Sequence, residues 1–90
     1  MADENDVKIE FPCEYFIKIL MTTDEETRTF VSGTLERHIE TFDVAKQTKT
    51  KPSRNGTFES MTVTFWALSE SHIMNMFDEL KQHAGVKMVL

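Results

Sequence analysis

The stretch FDVAKQTKTKPSRNGTFESMTVTFWAL, residues 42–68, decides the fold. Its second half alternates, with Met61, Val63, Phe65 and Ala67 set against Ser60, Thr62, Thr64 and Trp66. Side chains along a strand point to opposite faces in turn, so this pattern predicts a strand with one buried face. Asn55-Gly56 lies ahead of it, and Asn-Gly between two strand-like runs predicts a hairpin with a type I′ turn. The first arm is expected over Phe42 to Lys51. Pro52 cannot donate to a ladder, so that arm belongs at a sheet edge. Pairing Thr57 with Arg54 and counting back puts Lys51, Lys49 and Ala45 on the face of Ser60, Thr62 and Trp66. Phe42 and Val44 then fall on the core face, an assignment that a one-residue slip would reverse.

Upstream, Glu14 to Met21 also alternates, with Tyr15, Ile17, Ile19 and Met21 on one face and Phe16, Lys18 and Leu20 on the other. This predicts a central strand, entered in extended form through Phe11-Pro12. Thr23 and Glu26 have capping-box spacing ahead of a helix that runs to His38 or Ile39. Its buried face is Thr27, Phe30, Val31, Thr34, Leu35 and His38. Gly33 falls inside it, so either close packing demands a glycine there or the helix is weakened. Downstream, Ser69 or Ser71 is expected to cap a second helix reaching about His83, with Ile73, Met76, Phe77 and Leu80 as its apolar stripe. Gly85 then stops the helix, and Val86 to Leu90 forms a last short strand.

The order β-α-β-β-α-β with right-handed crossovers predicts an α+β, ferredoxin-like sandwich. Its four-stranded antiparallel sheet has the order 4-1-3-2 and both helices on one face. The expected core contains Tyr15, Ile17, Ile19, Phe30, Leu35, Val63, Phe65, Ile73, Phe77 and Leu80. Residues 1–10 form an acidic, flexible tail, and residues 11–90 one domain.

Composition narrows the function. The net charge of −5 argues against nucleic-acid binding. No apolar run is long enough to span a membrane, and the acidic start is unlike a signal peptide. The lone Cys13 fits a reducing compartment, so the expectation is a cytoplasmic protein. His38, His72 and His83 share no ligand spacing with each other or with Cys13, and read as helix-surface or helix-end residues. Asp78-Glu79 reads as a solvated helix face. No nucleophile-base grouping emerges from the spacing, so neither a catalytic site, a metal nor a cofactor is expected.

What remains is the uncovered sheet face. Phe16 and Leu20 share it with Trp66, and Lys18, Lys49 and Lys51 surround them. An aromatic patch edged with lysines predicts contact with a protein partner that is acidic and partly apolar. The competing expectation is that lysine stems or the N-terminal segment cover the tryptophan.

Phe11-Pro12, Lys18, Lys51-Pro52-Ser53 with Asn55-Gly56, and the ending Val86-Lys87-Met88-Val89-Leu90 closely resemble the YbeD-like family of small bacterial proteins. The resemblance spans about residues 11–90. It implies a ferredoxin-like domain similar to the ACT regulatory domains of amino-acid metabolism, in a family without an established activity. A regulatory link to lipoate metabolism has been suggested for that family. ACT domains commonly bind small ligands at a glycine-bearing loop after the first strand, whereas this chain has Met21-Thr22-Thr23-Asp24 there. The leading expectation is therefore a non-enzymatic regulatory or binding module working through protein contacts. The alternative is an ACT-type metabolite sensor that binds at a homodimer interface.

Overall fold

The computed structural model describes residues 10–90. The acidic tail expected over residues 1–10 lies, apart from Glu10, outside the described residues. The elements are β1 (Cys13–Thr22), α1 (Glu25–His38), α2 (Val44–Gln47), β2 (Thr48–Pro52), β3 (Phe58–Ala67), α3 (Glu70–Leu80) and β4 (Val86–Val89). The four strands form one antiparallel sheet in the order β2-β3-β1-β4, the ferredoxin-like arrangement that the alternation predicts.

The alternating pattern sorts the two faces. Ile17, Ile19 and Met21 of β1 and Met61, Val63, Phe65 and Ala67 of β3 are buried. They share one cluster with Val31 and Leu35 of α1 and with Ile73, Met76 and Leu80 of α3. Both long helices thus cover the same side of the sheet. Tyr15, Phe30 and Phe77, expected in the core, are half-buried and pack against it. Phe65 and Leu80 are 2% and 0% exposed, so the central layer is where the period-two and helical patterns place it.

The first hairpin arm differs from expectation. Val44–Gln47 is a helical turn, capped by the Asp43 side chain on the amides of Ala45 and Lys46. Val44 is consequently 49% exposed rather than on the core face, and Ala45 is exposed on the turn instead of on a strand. An Asp that can cap locally outcompetes a strand whose apolar alternation stops at Val44. The turn is not type I′ either: Gly56 alone has positive φ, at 77°, while Asn55 does not. The loop Ser53–Thr57 closes through Ser53 N–H to the Phe58 carbonyl at 2.8 Å and Gly56 N–H to the Ser53 carbonyl at 3.1 Å. The register survives this change, because Lys49 faces Thr62 and Lys51 faces Ser60 as counted.

The helix ends also shift. Asp24, not Thr23, caps α1, accepting from the Thr27 amide, while Thr23 donates to the Gly56 carbonyl. Ser69 caps α3, which ends at Leu80, three residues before the expected stop. Gly85 serves another purpose. A Cβ there would meet the Thr22 hydroxyl at 2.8 Å and the Thr27 methyl at 2.9 Å, so close packing against the β1–α1 junction requires glycine. At Gly33 the nearest atom to an added Cβ is an Arg37 nitrogen at 3.7 Å, which resolves its role: nothing there needs a glycine.

Candidate functional site

The uncovered side of the sheet is built by register. Lys49 of β2 and Lys18 of β1 both stand opposite Thr62 of β3, forming one cross-sheet row. The next row runs Lys51, Ser60, Leu20, Met88. With strands about 4.8 Å apart, the ammonium stems of Lys49 and Lys18 rise about 10 Å from each other. Phe16 faces Thr64 and Glu14 faces Trp66, so Phe16 and Trp66 are diagonal neighbours on one face, within reach of aromatic side chains. All six residues expected to meet a partner, Phe16, Lys18, Leu20, Lys49, Lys51 and Trp66, therefore share this face.

Their exposure is unequal. Phe16 is 68% exposed and Trp66 57%, Leu20 is half-buried, and the three lysines are exposed. Among the described residues, neither lysine stems nor another segment buries the tryptophan; the N-terminal segment, expected as the alternative cover, lies outside them up to residue 9. The face also includes Met88, at 49%, which composition did not single out. Its position depends on the pairing of β4 with β1, and a short strand read alone carries no register. The lysines make this face basic in a molecule of net charge −5, with Glu14 the acidic residue among them. Such a contrast steers an acidic partner towards one face.

The helix side of the molecule holds the polar groups that spacing did not reveal. Glu59 continues the buried face of β3 and is 4% exposed. Arg28 of α1 clamps it with two bonds, Nε to Oε2 at 2.7 Å and Nη2 to Oε1 at 2.9 Å. The pair ties the start of α1 to β3, and Glu59 raises the already high pKa of Arg28. Asp24 accepts from the Thr22 hydroxyl, the Thr27 amide and the Thr27 hydroxyl, which hold its carboxyl down at about 2. At the other end, Glu79 of α3 pairs with Arg37 and takes a 2.7 Å bond from His38 Nε2. Asp78-Glu79 is thus not a simple solvated face, since Glu79 joins α3 to α1. Burial, followed by the nearby His72 and Arg37, lowers the pKa of His38 and favours its neutral ring. His72 Nδ1 accepts from the Leu68 amide at 3.0 Å, so its proton sits on Nε2 and is donated to the His38 carbonyl. His38, the last residue of α1, and His72, in the first turn of α3, are helix-end residues as expected, and they also tie the two helices together. His83 lies ring to ring with Phe30 at 4.8 Å and accepts from the Gly85 amide.

One cavity of about 440 Å³ opens where α1 ends, between Ile39, Gln47, Trp66, Leu68 and His72. Trp66 therefore borders both the uncovered sheet face and this cavity. Among the described residues no three His, Cys, Asp or Glu side chains gather as a metal site, and no helix there is long and apolar enough to cross a membrane.

Comparison with known proteins places this geometry. A family model described as a protein of unknown function, DUF493, matches residues 6–90. A UPF0250 protein of Hahella chejuensis is 37% identical over 92% of this chain and 90% of its own. One from Paraburkholderia phymatum is 30% identical over the full length of both. Among solved structures, protein HP0495 from H. pylori has a TM-score of 0.73 at 22% identity, covering 100% of this chain and 93% of its own. The C-terminal domain of the MgtC protein from Mycobacterium tuberculosis reaches a TM-score of 0.66 at 14% identity, over 93% and 89% of the two chains. The two solved structures share the fold. The family match and the full-length relatives go further: the chain belongs to the DUF493 family of UPF0250 proteins, the YbeD-like small bacterial proteins.

Proposed function

We propose that the protein is a non-enzymatic, cytoplasmic regulatory module that binds a partner protein through the uncovered face of its sheet. The observation that carries this reading is the exposure of Phe16 and Trp66, at 68% and 57%, beside Lys18, Lys49 and Lys51. Large aromatics at the centre of an interface carry much of its energy, and lysines around them select acidic surfaces and speed association. The partner surface is accordingly acidic with an apolar centre, and the contact is planar rather than a groove. The test is a photo-crosslinker placed at Phe16 and, as a control, at Met74 on the helix side. Crosslinking to one acidic protein from Phe16 alone supports the reading. The purified pair should then show weaker binding with Trp66→Ala and slower association with Lys49→Glu and Lys51→Glu. Equal crosslinking from both positions refutes it. Saturable thermal stabilisation by an amino acid, lipoate or a nucleotide, without any protein partner, replaces it with the metabolite-sensor reading; stabilisation would reach about 2.7 kcal/mol at a hundredfold excess over Kd.

A further inference from the structure

The cavity at the end of α1 has a composition that selects its ligand. At about 440 Å³ it falls within the roughly 300–1,000 Å³ of small-ligand sites. Several polar groups of its wall are already committed. Gln47 donates through Nε2 to the Thr64 carbonyl and accepts the Asp43 amide on Oε1. His72 uses both ring nitrogens, on the Leu68 amide and the His38 carbonyl. Arg37 borders the cavity and would repel a cation, but its charge is matched by Glu79. What the wall still offers is apolar and negative. Trp66 and Leu68 are each 57% exposed. Glu36 and Glu40, both exposed acidic residues, also line the cavity.

The helix end adds to this. A helix leaves its last carbonyls without intrahelical partners and concentrates about half a negative charge there. At the end of α1, the Ile39 amide takes the Leu35 carbonyl, and His72 takes that of His38. Glu36 and Arg37, which supply the carbonyls between them, both line the cavity. An exposed indole next to a negative helix end and two acidic residues attracts a cation, and the apolar wall favours one on a hydrocarbon stem.

We propose that this cavity is a binding site for an alkyl-ammonium or alkyl-guanidinium group, with the charge against Trp66 and the stem along Leu68. The site is separate from the β1–α1 loop. That loop meets Thr57 at the start of β3, whereas Trp66 and Leu68 lie at its other end, about 30 Å along the strand. The same group is found on lysine and arginine side chains and on free amines.

The chain has a single tryptophan, so its emission reports directly on the cavity. Butylguanidinium and butylammonium should change Trp66 fluorescence saturably, with Kd on the millimolar scale, while butyrate and pentanol leave it unchanged. Glu36→Gln combined with Glu40→Gln should weaken the cations roughly two- to fivefold, as should Trp66→Leu followed by the amide NMR shifts of Ile39 and Gln47. The double glutamine variant changes only exposed side chains and keeps the test alive if Trp66→Leu folds poorly. Lys49→Glu and Lys51→Glu should leave cation binding in place, which separates this site from partner binding on the sheet. Binding of the peptide acetyl-Gly-Arg-Gly-amide as tightly as butylguanidinium assigns the cation to a protein side chain. Binding of the small cations alone assigns it to a free amine, and either result supports the site. No response to the cations at about 100 mM, or an equal response to butyrate or pentanol, overturns it.

Discussion

Phe16 and Phe65 are the same residue type on adjacent strands and opposite faces, and replacing each by alanine tests whether the sheet face is open. Phe65 is 2% exposed, so Phe65→Ala removes a filled ring from the core and should cost about 3–5 kcal/mol. Phe16 is 68% exposed, leaving about a third of the residue covered. A phenylalanine contributes on the order of 200 Å² when fully buried, so about 65 Å² is at stake. At about 25 cal/mol per Å² that comes to about 1.6 kcal/mol, an upper bound because the alanine methyl keeps some of it. For a domain with a stability of about 5–15 kcal/mol, the first change threatens folding and the second does not. Urea unfolding followed by circular dichroism gives both values, and similar slopes for the two variants would keep the comparison two-state. Phe16→Ala should then weaken the crosslinked partner by about 2 kcal/mol or more if the ring is an anchor of the contact. A Phe16→Ala loss of stability as large as that of Phe65→Ala would refute the reasoning, since the ring would then be covered in the free protein. A loss that grows with protein concentration would place a second copy of the chain on the face instead.

Gly33→Ala should stabilise the protein by up to about 1 kcal/mol, raising Tm by about 4–8 °C, because the added Cβ meets nothing closer than 3.7 Å. A lower Tm would mean that the helix requires glycine there. Gly85→Ala should destabilise in the same thermal scan, since the methyl collides with Thr22 and Thr27, and an unchanged Tm would remove the claim of close packing. Hydrogen bonds from Thr22 and Thr27 hold the folded Asp24 carboxyl at about 2, below the ordinary aspartate value of 3.8, so its contribution is complete above pH about 4 and is lost as pH falls through 2. A carboxyl carbon NMR titration should show that midpoint, Asp24→Asn should remove this part of the acid sensitivity, and titration near 3.8 would count against the hydrogen-bonded cap. Glu59→Ala should cost about 1.5–3 kcal/mol, the worth of charge-assisted bonds, and leave Arg28 to water because it is half exposed. A neutral result in chemical denaturation would mean that the clamp adds nothing.

The strands and their faces were legible from residue type and spacing alone, because alternation with period two has one physical meaning when one side of a sheet is buried. It placed Phe16, Lys18, Leu20, Lys49, Lys51 and Trp66 on one face, and even the hairpin register came out right although the turn was misread. The local contests were not legible. Asp43 capping a turn of helix, Asp24 capping α1 ahead of Thr23, and Ser69 rather than Ser71 are choices between near neighbours of similar intrinsic strength. The surrounding packing settles such choices. Only the tertiary structure decided what distant residues do together. Glu59 looks like any polar strand residue until Arg28, on another element, makes its burial tolerable. Gly33 and Gly85 look alike until the atoms around each are known. The cavity beside Trp66 joins the end of α1 to α2, β3 and α3, segments brought together by chain closure rather than by any local pattern. Spacing along a chain reports the face a side chain takes within its own element, and the partner it meets across the fold is set by how the elements pack.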